Sequence, residues 1–464
     1  MQFSEISPKY FVLRDDIQLR LCDGYVMLYG FSVRNRKIIT PWEALVLALC
    51  NGKVTLPEIV YIFGKTFDLD YPEASNVVTS TLESNLSYIK TSENPIEYSN
   101  RYDPLGFIMS SKIDEIGIGK LPLDPPWEVG LVTSYRCNFN CRYCYLPGLG
   151  DAISQPPVSC SFETCQKVIE EACSWGVPFI GIFGGEPLLF PKWDELAEQV
   201  ISGGSVPLIT TNGSLIGKRE AERIAEIGIR QIVVSLEATN DEMFFDITRA
   251  PTKSFSRALN AISFLRENGV SVVIKGVCMP QNIHAIGELI DLVVDFGVEA
   301  IHFSRMERGH PSGPSWHCST ATEEDLENVR LITRQRSKEY GITITGPREQ
   351  YDEAFSCGSL HIAMGVRPPG IVGICSKFDG NPEFDLGDVR EQSLKQIWYG
   401  KRAENFRKRC IDPVQVGSRC SSCSKLQNCM TGCFFDSYIA TGKYLAPPPY
   451  CKKEKSEIRK INHE

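Results

Sequence analysis

The chain has 464 residues, a formal net charge of -8 and 18 cysteines. Its length allows roughly two to four domains with a sizeable core, and its acidic balance excludes a broadly nucleic-acid-seeking surface. No run of eighteen apolar residues occurs, which excludes a membrane-spanning helix. The opening Met1-Gln2-Phe3-Ser4-Glu5-Ile6-Ser7 lacks a basic stretch followed by an apolar one, so the expected location is the cytoplasm. Thiols stay free in such a compartment, and the cysteines read as metal or cluster ligands before disulfides.

Residues 1–93 read as a small α+β domain of winged-helix-like outline. Phe11 to Leu13, Ile17 to Leu21 and Tyr25 to Tyr29 are strand-like, and a further strand ends at Ile38-Ile39. Thr40-Pro41-Trp42-Glu43 is a capping box with proline at the first helical position, and Asn51-Gly52 closes that helix. Thr55 and Glu58 repeat the box, and a third helix is expected from about Tyr71 to Tyr88. Residues 41–90 carry three lysines, Lys53, Lys65 and Lys90, against six acidic residues. A DNA-reading helix is therefore not expected. Residues 94–126, with Pro95, Pro104, Pro122, Pro125 and Pro126, read as a linker.

Over residues 127–320 the pattern becomes regular. Apolar strands at Val129 to Thr133, Phe179 to Phe183, Pro207 to Thr211, Gln231 to Leu236, Ser271 to Val277 and Ala300 to Phe303 alternate with helical stretches. Six β/α repeats predict a parallel sheet curved into a partial barrel, with its chemistry at the carboxyl ends of the strands.

Directly after the first of these strands comes Cys137-Asn138-Phe139-Asn140-Cys141-Arg142-Tyr143-Cys144, a C-x3-C-x2-C loop. A [4Fe–4S] cluster takes four thiolates, so a loop supplying three leaves one iron open. A zinc site would want a fourth Cys or His nearby. Gly184-Gly185-Glu186-Pro187 follows the second strand, with two glycines that permit close approach and a carboxylate able to accept from an ammonium. Asn212 ends the third strand, Ser235-Leu236-Glu237 the fourth, and Arg249 lies beyond. Cys278 closes the fifth strand and reads as packing rather than as a hydrogen donor facing the cavity.

A helical, polar bridge covers 321–350, and residues 351–464 form a cysteine field. Cys357 and Cys375 are followed by Cys420-x2-Cys423-x5-Cys429-x3-Cys433 and by Cys451. A zinc ribbon needs two Cys-x2-Cys pairs, and only Cys420/Cys423 is one.

The first cysteine loop, with an aromatic residue (Tyr143) before its last cysteine, resembles the radical S-adenosylmethionine (SAM) enzymes. The resemblance implies that Cys137, Cys141 and Cys144 hold the SAM-binding cluster. It further implies that Tyr143, Gly184, Gly185, Glu186, Pro187, Asn212, Ser235, Glu237 and Arg249 surround SAM. The family often has Ser-x-Asp where this chain has Ser235-x-Glu237. The C-terminal field is similar to the SPASM extension, which implies two auxiliary [4Fe–4S] clusters, three clusters in all. By position, Cys420, Cys423, Cys429 and Cys451 would hold one, and Cys357, Cys375 and Cys433 the other. That trio leaves an iron open or capped by a distant residue such as Cys318. The N-terminal domain is similar to PqqD-like precursor-recognition elements. Together these imply a maturase of ribosomal peptides that binds a precursor through its leader and takes electrons from a flavodoxin or ferredoxin. A thioether or carbon–carbon crosslink is the expected product, with epimerisation, backbone excision, formylglycine formation and a non-catalytic scaffold as alternatives. Neither a nucleic acid nor a membrane is expected as a partner.

Overall fold

The structure is a computed structural model that describes residues 10–14, 17–22, 25–30, 36–96, 102, 104, 107, 125–146, 158–309, 313–347, 357–423, 426–449 and 451. Most of the expected linker, the end of the expected bridge and the tail after Cys451 lie outside these residues. The chain divides into two compact units, Met1–Pro125 and Pro126–Glu464.

The first unit runs β1 (Tyr10–Leu13), β2 (Ile17–Cys22), β3 (Tyr25–Gly30), β4 (Arg36–Ile39), α1 (Pro41–Leu49), β5 (Asn51–Thr55), α2 (Leu56–Phe67), α3 (Tyr71–Ser84) and β6 (Ile89–Ser92). An antiparallel sheet β2-β3-β4 and a second sheet β5-β1-β6 enclose, with the helices, a core that includes Phe11, Leu45, Leu47 and Phe63. α1 begins on its capping box. Thr40 Oγ1 accepts the Glu43 N–H at 3.1 Å, and Glu43 Oε2 accepts the Thr40 N–H at 2.9 Å. The Thr55/Glu58 box starts α2 the same way, with the Thr55 N–H on Glu58 Oε2 at 2.8 Å. Asn51-Gly52 does more than close a helix: Gly52, at φ +77°, turns the chain straight into β5. β5 and β6 escape a pattern reading because each buries a single residue and shows no apolar alternation.

The second unit alternates β7 (Glu128–Ser134), α4 (Phe162–Trp175), β8 (Phe179–Gly184), α5 (Trp193–Ser202), β9 (Val206–Thr211), α6 (Lys218–Ile227), β10 (Gln231–Ser235), α7 (Asp241–Thr248), α8 (Ser254–Glu267), β11 (Ser271–Cys278), α9 (Ile286–Val294), β12 (Ala300–Arg305), α10 (Glu323–Tyr340) and β13 (Thr343–Thr345). Then come β14 (Ala363–Arg367), β15 (Ile371–Gly373), β16 (Asp385–Asp388), α11 (Leu394–Trp398) and α12 (Lys401–Ile411). The strands form one sheet in the order β13-β12-β11-β10-β9-β8-β7-β14-β15-β16. β7 to β13 pair in parallel, as βα repeats dictate, and their helix-side residues Val234, Ile274 and Ile301 are fully buried.

Two departures from the expected layout extend the sheet. The polar bridge contributes α10 and then β13, which joins β12 in parallel. From the cysteine field, β14 pairs in parallel with β7, and β15 and β16 follow antiparallel, so the field continues the barrel sheet directly. Helix packing adds to the joint: Trp398 of α11, fully buried, meets Trp175 of α4 edge-on at 6.1 Å. Glu171 accepts the Leu394 N–H at 2.7 Å, and Lys167 donates to the Val389 carbonyl at 2.6 Å. Arg367 at the end of β14 pairs with Asp379 and Asp385, and the Tyr135 hydroxyl donates to Asp379.

Candidate active site

The loop 137–144 has no helix or strand of its own, and neighbouring elements hold it. From the exit of β8, Gly185 N–H donates to Ser134 O at 2.8 Å and Glu186 N–H to Arg136 O at 2.9 Å. This contact explains the two glycines. A Cβ on Gly184 would lie 2.5 Å from Ser134 O, and one on Gly185 only 2.3 Å from Arg136 O. The adjacent chain therefore makes a close approach of its own at both positions.

From the exit of β9, Asn212 Nδ2 donates to Asn138 Oδ1 at 2.9 Å, and Asn138 Nδ2 donates to Ser214 Oγ at 2.9 Å. From the end of α7, the Ile247 and Thr248 carbonyls accept the N–H groups of Arg142 (2.9 Å) and Asn140 (3.1 Å). The Arg142 guanidinium grips Asp246 through its carbonyl at 2.7 Å and its carboxylate at 2.8 Å. α7 thus uses orphan carbonyls of its last turn to position the cysteine loop.

Glu186 is 3% exposed. Its carboxylate accepts from Thr211 Oγ1 (2.8 Å), the Leu188 N–H (3.2 Å) and the Asn212 N–H (2.8 Å). Burial raises its pKa while these three donors lower it. Two carboxylate oxygens offer about four lone-pair sites, so one acceptor site is left for a ligand. Pro187 opens the short 3-10 turn that Glu186 caps. Ser235 and Asn212 are half-buried at the ends of their strands.

Glu237, in the place of the family's aspartate, is 2% exposed. Burial pushes its carboxyl up to about 8, and it hydrogen-bonds the Tyr143 hydroxyl, which also reaches Cys141. Arg249 is the left-handed C-cap of α7 (φ 52°), exposed, 3.2 Å from Asp246 and lying over the Phe245 ring. Cys278 is fully buried near Arg305 and Arg330, on the helix side of β11, which makes it a packing residue.

Three thiol groups emerge. Cys137 is pushed up to about 12 by burial, with Glu186 and Cys144 adding to the effect. Cys141 is raised by burial and then by Glu237, Cys144 and Cys137. Cys357 is pushed up to about 12 by burial and by Cys375, and Cys433 to about 12 by burial, Asp436 and Cys357. Cys420 is pushed up to about 11 by burial and by Cys451, Cys429 and Cys423. Thiols gathered out of water in this way cannot all ionise unless a cation compensates, and a coordinated metal does so. Among the described residues no three such side chains converge as they would on one ion. An iron–sulfur cluster takes each thiolate on a different iron.

The thiol of Cys318 donates to the Arg142 carbonyl at 3.1 Å, against the first loop. Cys410, read from the sequence as packing, is fully buried and within electrostatic reach of Cys357. Tyr145 senses both Cys144 and Cys375. The supports that sequence reasoning missed are Asn138, Arg142, Thr211 and Asp246. Of these, Asn138 and Arg142 lay inside the cysteine motif and Thr211 at the end of the third apolar strand.

Residues 131–293 match the radical SAM superfamily, and residues 357–424 match the SPASM iron–sulfur cluster-binding domain. The AdoMet-dependent heme synthase of Methanosarcina barkeri is 27% identical over 353 residues, covering 70% of this chain and 95% of that protein. The PqqA peptide cyclase of Rhizobium meliloti is 24% identical over 333 residues, covering 70% of this chain and 87% of that protein. Among solved structures, Streptococcus suis SuiB bound to its precursor peptide SuiA superposes with a TM-score of 0.65 at 19% identity, covering 95% of this chain and all of that one. The chain thus carries a radical SAM domain followed by a SPASM iron–sulfur cluster-binding domain.

Proposed function

We propose that this enzyme modifies a ribosomally made precursor peptide, which it binds through the peptide's leader, and that it forms an intrapeptide thioether or carbon–carbon crosslink. The observation that carries this reading is the fold likeness to SuiB over 95% of the chain, beside the 24% identity to the PqqA peptide cyclase over 70% of it. In this reading Cys137, Cys141 and Cys144 hold the SAM-binding [4Fe–4S] cluster. Glu186 offers its remaining acceptor site to the SAM ammonium, and Tyr143, Gly184, Gly185, Pro187, Asn212, Ser235, Glu237 and Arg249 surround the rest. Cys420, Cys423, Cys429 and Cys451 hold one auxiliary cluster, and Cys357, Cys375 and Cys433 the other. When bound, the cofactors supply one-electron cleavage of SAM and hydrogen abstraction from the substrate.

The protein's own share is position. Asn140 and Arg142, held by α7, and Asn138, held by Asn212 and Ser214, fix the thiols. The unit Met1–Pro125 acts as the PqqD-like recognition element. Its antiparallel sheet ends in β2, whose Leu19 N–H donates to the Tyr102 hydroxyl at 3.0 Å, and in β4, whose edge can take a leader as an added strand. A flavodoxin- or ferredoxin-type reductant in the cytoplasm completes the system. Among the described residues no helix is long and apolar enough to cross a membrane.

Coexpression with any short peptide encoded beside the gene tests this reading. A peptide lighter by two hydrogens supports a crosslink, whereas reduced, reconstituted enzyme that releases no 5′-deoxyadenosine would overturn it. A second reading, action on a tetrapyrrole, draws on the 27% identity to the heme synthase. It predicts turnover of an iron porphyrin in the same assay with no peptide required.

A further inference from the structure

The short segment between Cys429 and Cys433 has an unusual backbone. Met430, Thr431 and Gly432 stand in the left-handed region one after another, at φ 50°, 67° and 76°. Glycine takes that conformation freely. A β-branched threonine does so only where its surroundings hold it there, and such strain gathers at functional sites. The same residue carries a second cost. Thr431 is 1% exposed, and among the described residues its Oγ1 is fully covered without a hydrogen-bond partner. A buried hydroxyl left in that state is destabilising. Valine, of the same shape, would avoid the second cost, and glycine would avoid both. The hydroxyl is therefore placed for a partner that is not polypeptide.

The surroundings of Thr431 identify that partner. Cys420 lies within electrostatic reach of Cys451, Cys429 and Cys423, and Cys429 within reach of Cys451 and Cys423, so these thiols gather at one place. Burial raises the Cys429 thiol most, followed by Cys451 and Cys423, while the N–H groups of Gly432 and Thr431, hydrogen-bonded to it, lower it. Successive N–H groups aimed at one point form an anion-binding concavity of the kind found at iron–sulfur sites. The segment leading to Cys451 closes over the turn: a Cβ on Gly432 would lie 3.0 Å from Pro448, and the Leu445 carbonyl accepts the Gly417 N–H at 3.1 Å. Gathered thiols, N–H donors and a spare buried hydroxyl fit a cluster with sulfurs that accept hydrogen bonds.

Hydrogen bonds to its sulfurs are among the terms that set the potential of such a cluster. The reduced form carries one more negative charge than the oxidised form, so a donor holds it more tightly and raises the potential. We propose that the Thr431 hydroxyl donates a hydrogen bond to a sulfur of the auxiliary cluster held by Cys420, Cys423, Cys429 and Cys451, and thereby keeps its reduction potential up. The assignment rests on the ligand reading above. Thr431 acts through the cluster and touches no substrate, so its role is one of tuning.

The test is a redox titration of anaerobically reconstituted enzyme followed by electron paramagnetic resonance. The signal lost in Cys429→Ala, together with about four irons per chain, identifies the cluster. Thr431→Val keeps the shape and the backbone strain and removes only the hydroxyl. Its ratio of reduced to oxidised cluster at a fixed potential should fall about tenfold, the low end for a hydrogen bond to a charged group, which for one electron is a shift of about 59 mV. Thr431→Ala should shift the potential in the same direction, so the result does not hang on one variant loading its iron. Thr431→Ser should bring the ratio back to within about twofold of wild type. Valine and alanine variants with a wild-type potential, or a shift confined to the signals of the other clusters, would overturn the assignment. Cys429→Ala protein that keeps all its iron and every signal would sink the ligand reading itself, and the assignment with it.

Discussion

Gly185→Ala separates two explanations for the glycine pair. Gly185 does not sit in the left-handed region, so alanine there brings no backbone strain. Its Cβ would lie 2.3 Å from Arg136 O and 2.7 Å from Tyr135 O, both main-chain atoms that no side-chain rotation can clear. Reaching a 3.0 Å contact requires the Arg136 carbonyl to retreat by about 0.7 Å, and overpacking of this kind costs about 1–3 kcal/mol. Arg136 directly precedes Cys137, so the first thiol moves with it. Misplacement approaching 1 Å costs on the order of a hundredfold in rate. The expected outcome is a perturbed electron paramagnetic resonance signal from the reduced first cluster, together with SAM cleavage lowered about a hundredfold. If the glycine served ligand approach alone, the signal would be unchanged without SAM and only SAM binding would fail. A Gly185→Ala enzyme with wild-type signal and cleavage within about threefold would refute the packing argument. Gly204→Ala, at φ +79° with open space around it, is the control for conformational strain without a clash.

Other substitutions probe separate parts of the molecule. Glu186→Gln must turn an amide NH2 toward the Asn212 N–H or toward the Thr211 and Leu188 donors; the mismatch should cost about 1–3 kcal/mol in urea denaturation. Arg142→Met removes two contacts to Asp246 from a partly exposed pair, worth about 1 kcal/mol, and should speed loss of iron to a chelator about fivefold. Cys433→Ala should lower bound iron by about four per chain while SAM cleavage at the first loop stays within about threefold. Thr40→Ala removes the acceptor for the Glu43 N–H and should cost about 1 kcal/mol in stability of the unit Met1–Pro125.

The barrel strands were legible because each is a short apolar run between helical stretches. β8 and β11 begin where the apolar pattern begins, at Phe179 and Ser271. Capping boxes marked α1 and α2 for the same kind of local reason: the signal and the structure lie within four residues of each other. β13 to β16 were not legible, since strands of three to five residues gain stability only from partners distant in sequence. The cysteine loop was evident as a motif, but its supports were not. Asn138 to Ser214 spans 76 positions and Arg142 to Asp246 spans 104, and no local pattern encodes such pairings.

The loop's dependence on its neighbours has a thermodynamic consequence. Its shape is set by contacts from three separate elements: the exit of β8, the exit of β9 and the last turn of α7. None of these partners is adjacent in sequence, so the arrangement of thiols exists only once the barrel has assembled. Cluster binding is then coupled to folding of the second unit rather than to a local preference of residues 137–144. The sheet beneath makes no such demand on the cluster: its pairings and its helix-side core are complete without reference to the loop. Removing iron should therefore leave the sheet intact and loosen only the contacts around the loop, with protection from amide exchange falling at Asn140 and Arg142 while Ile182 and Ile274 keep theirs. The same logic fixes the order of assembly, because a barrel that can form first can offer preorganised thiols to iron, whereas a free loop would have to be ordered by the metal itself.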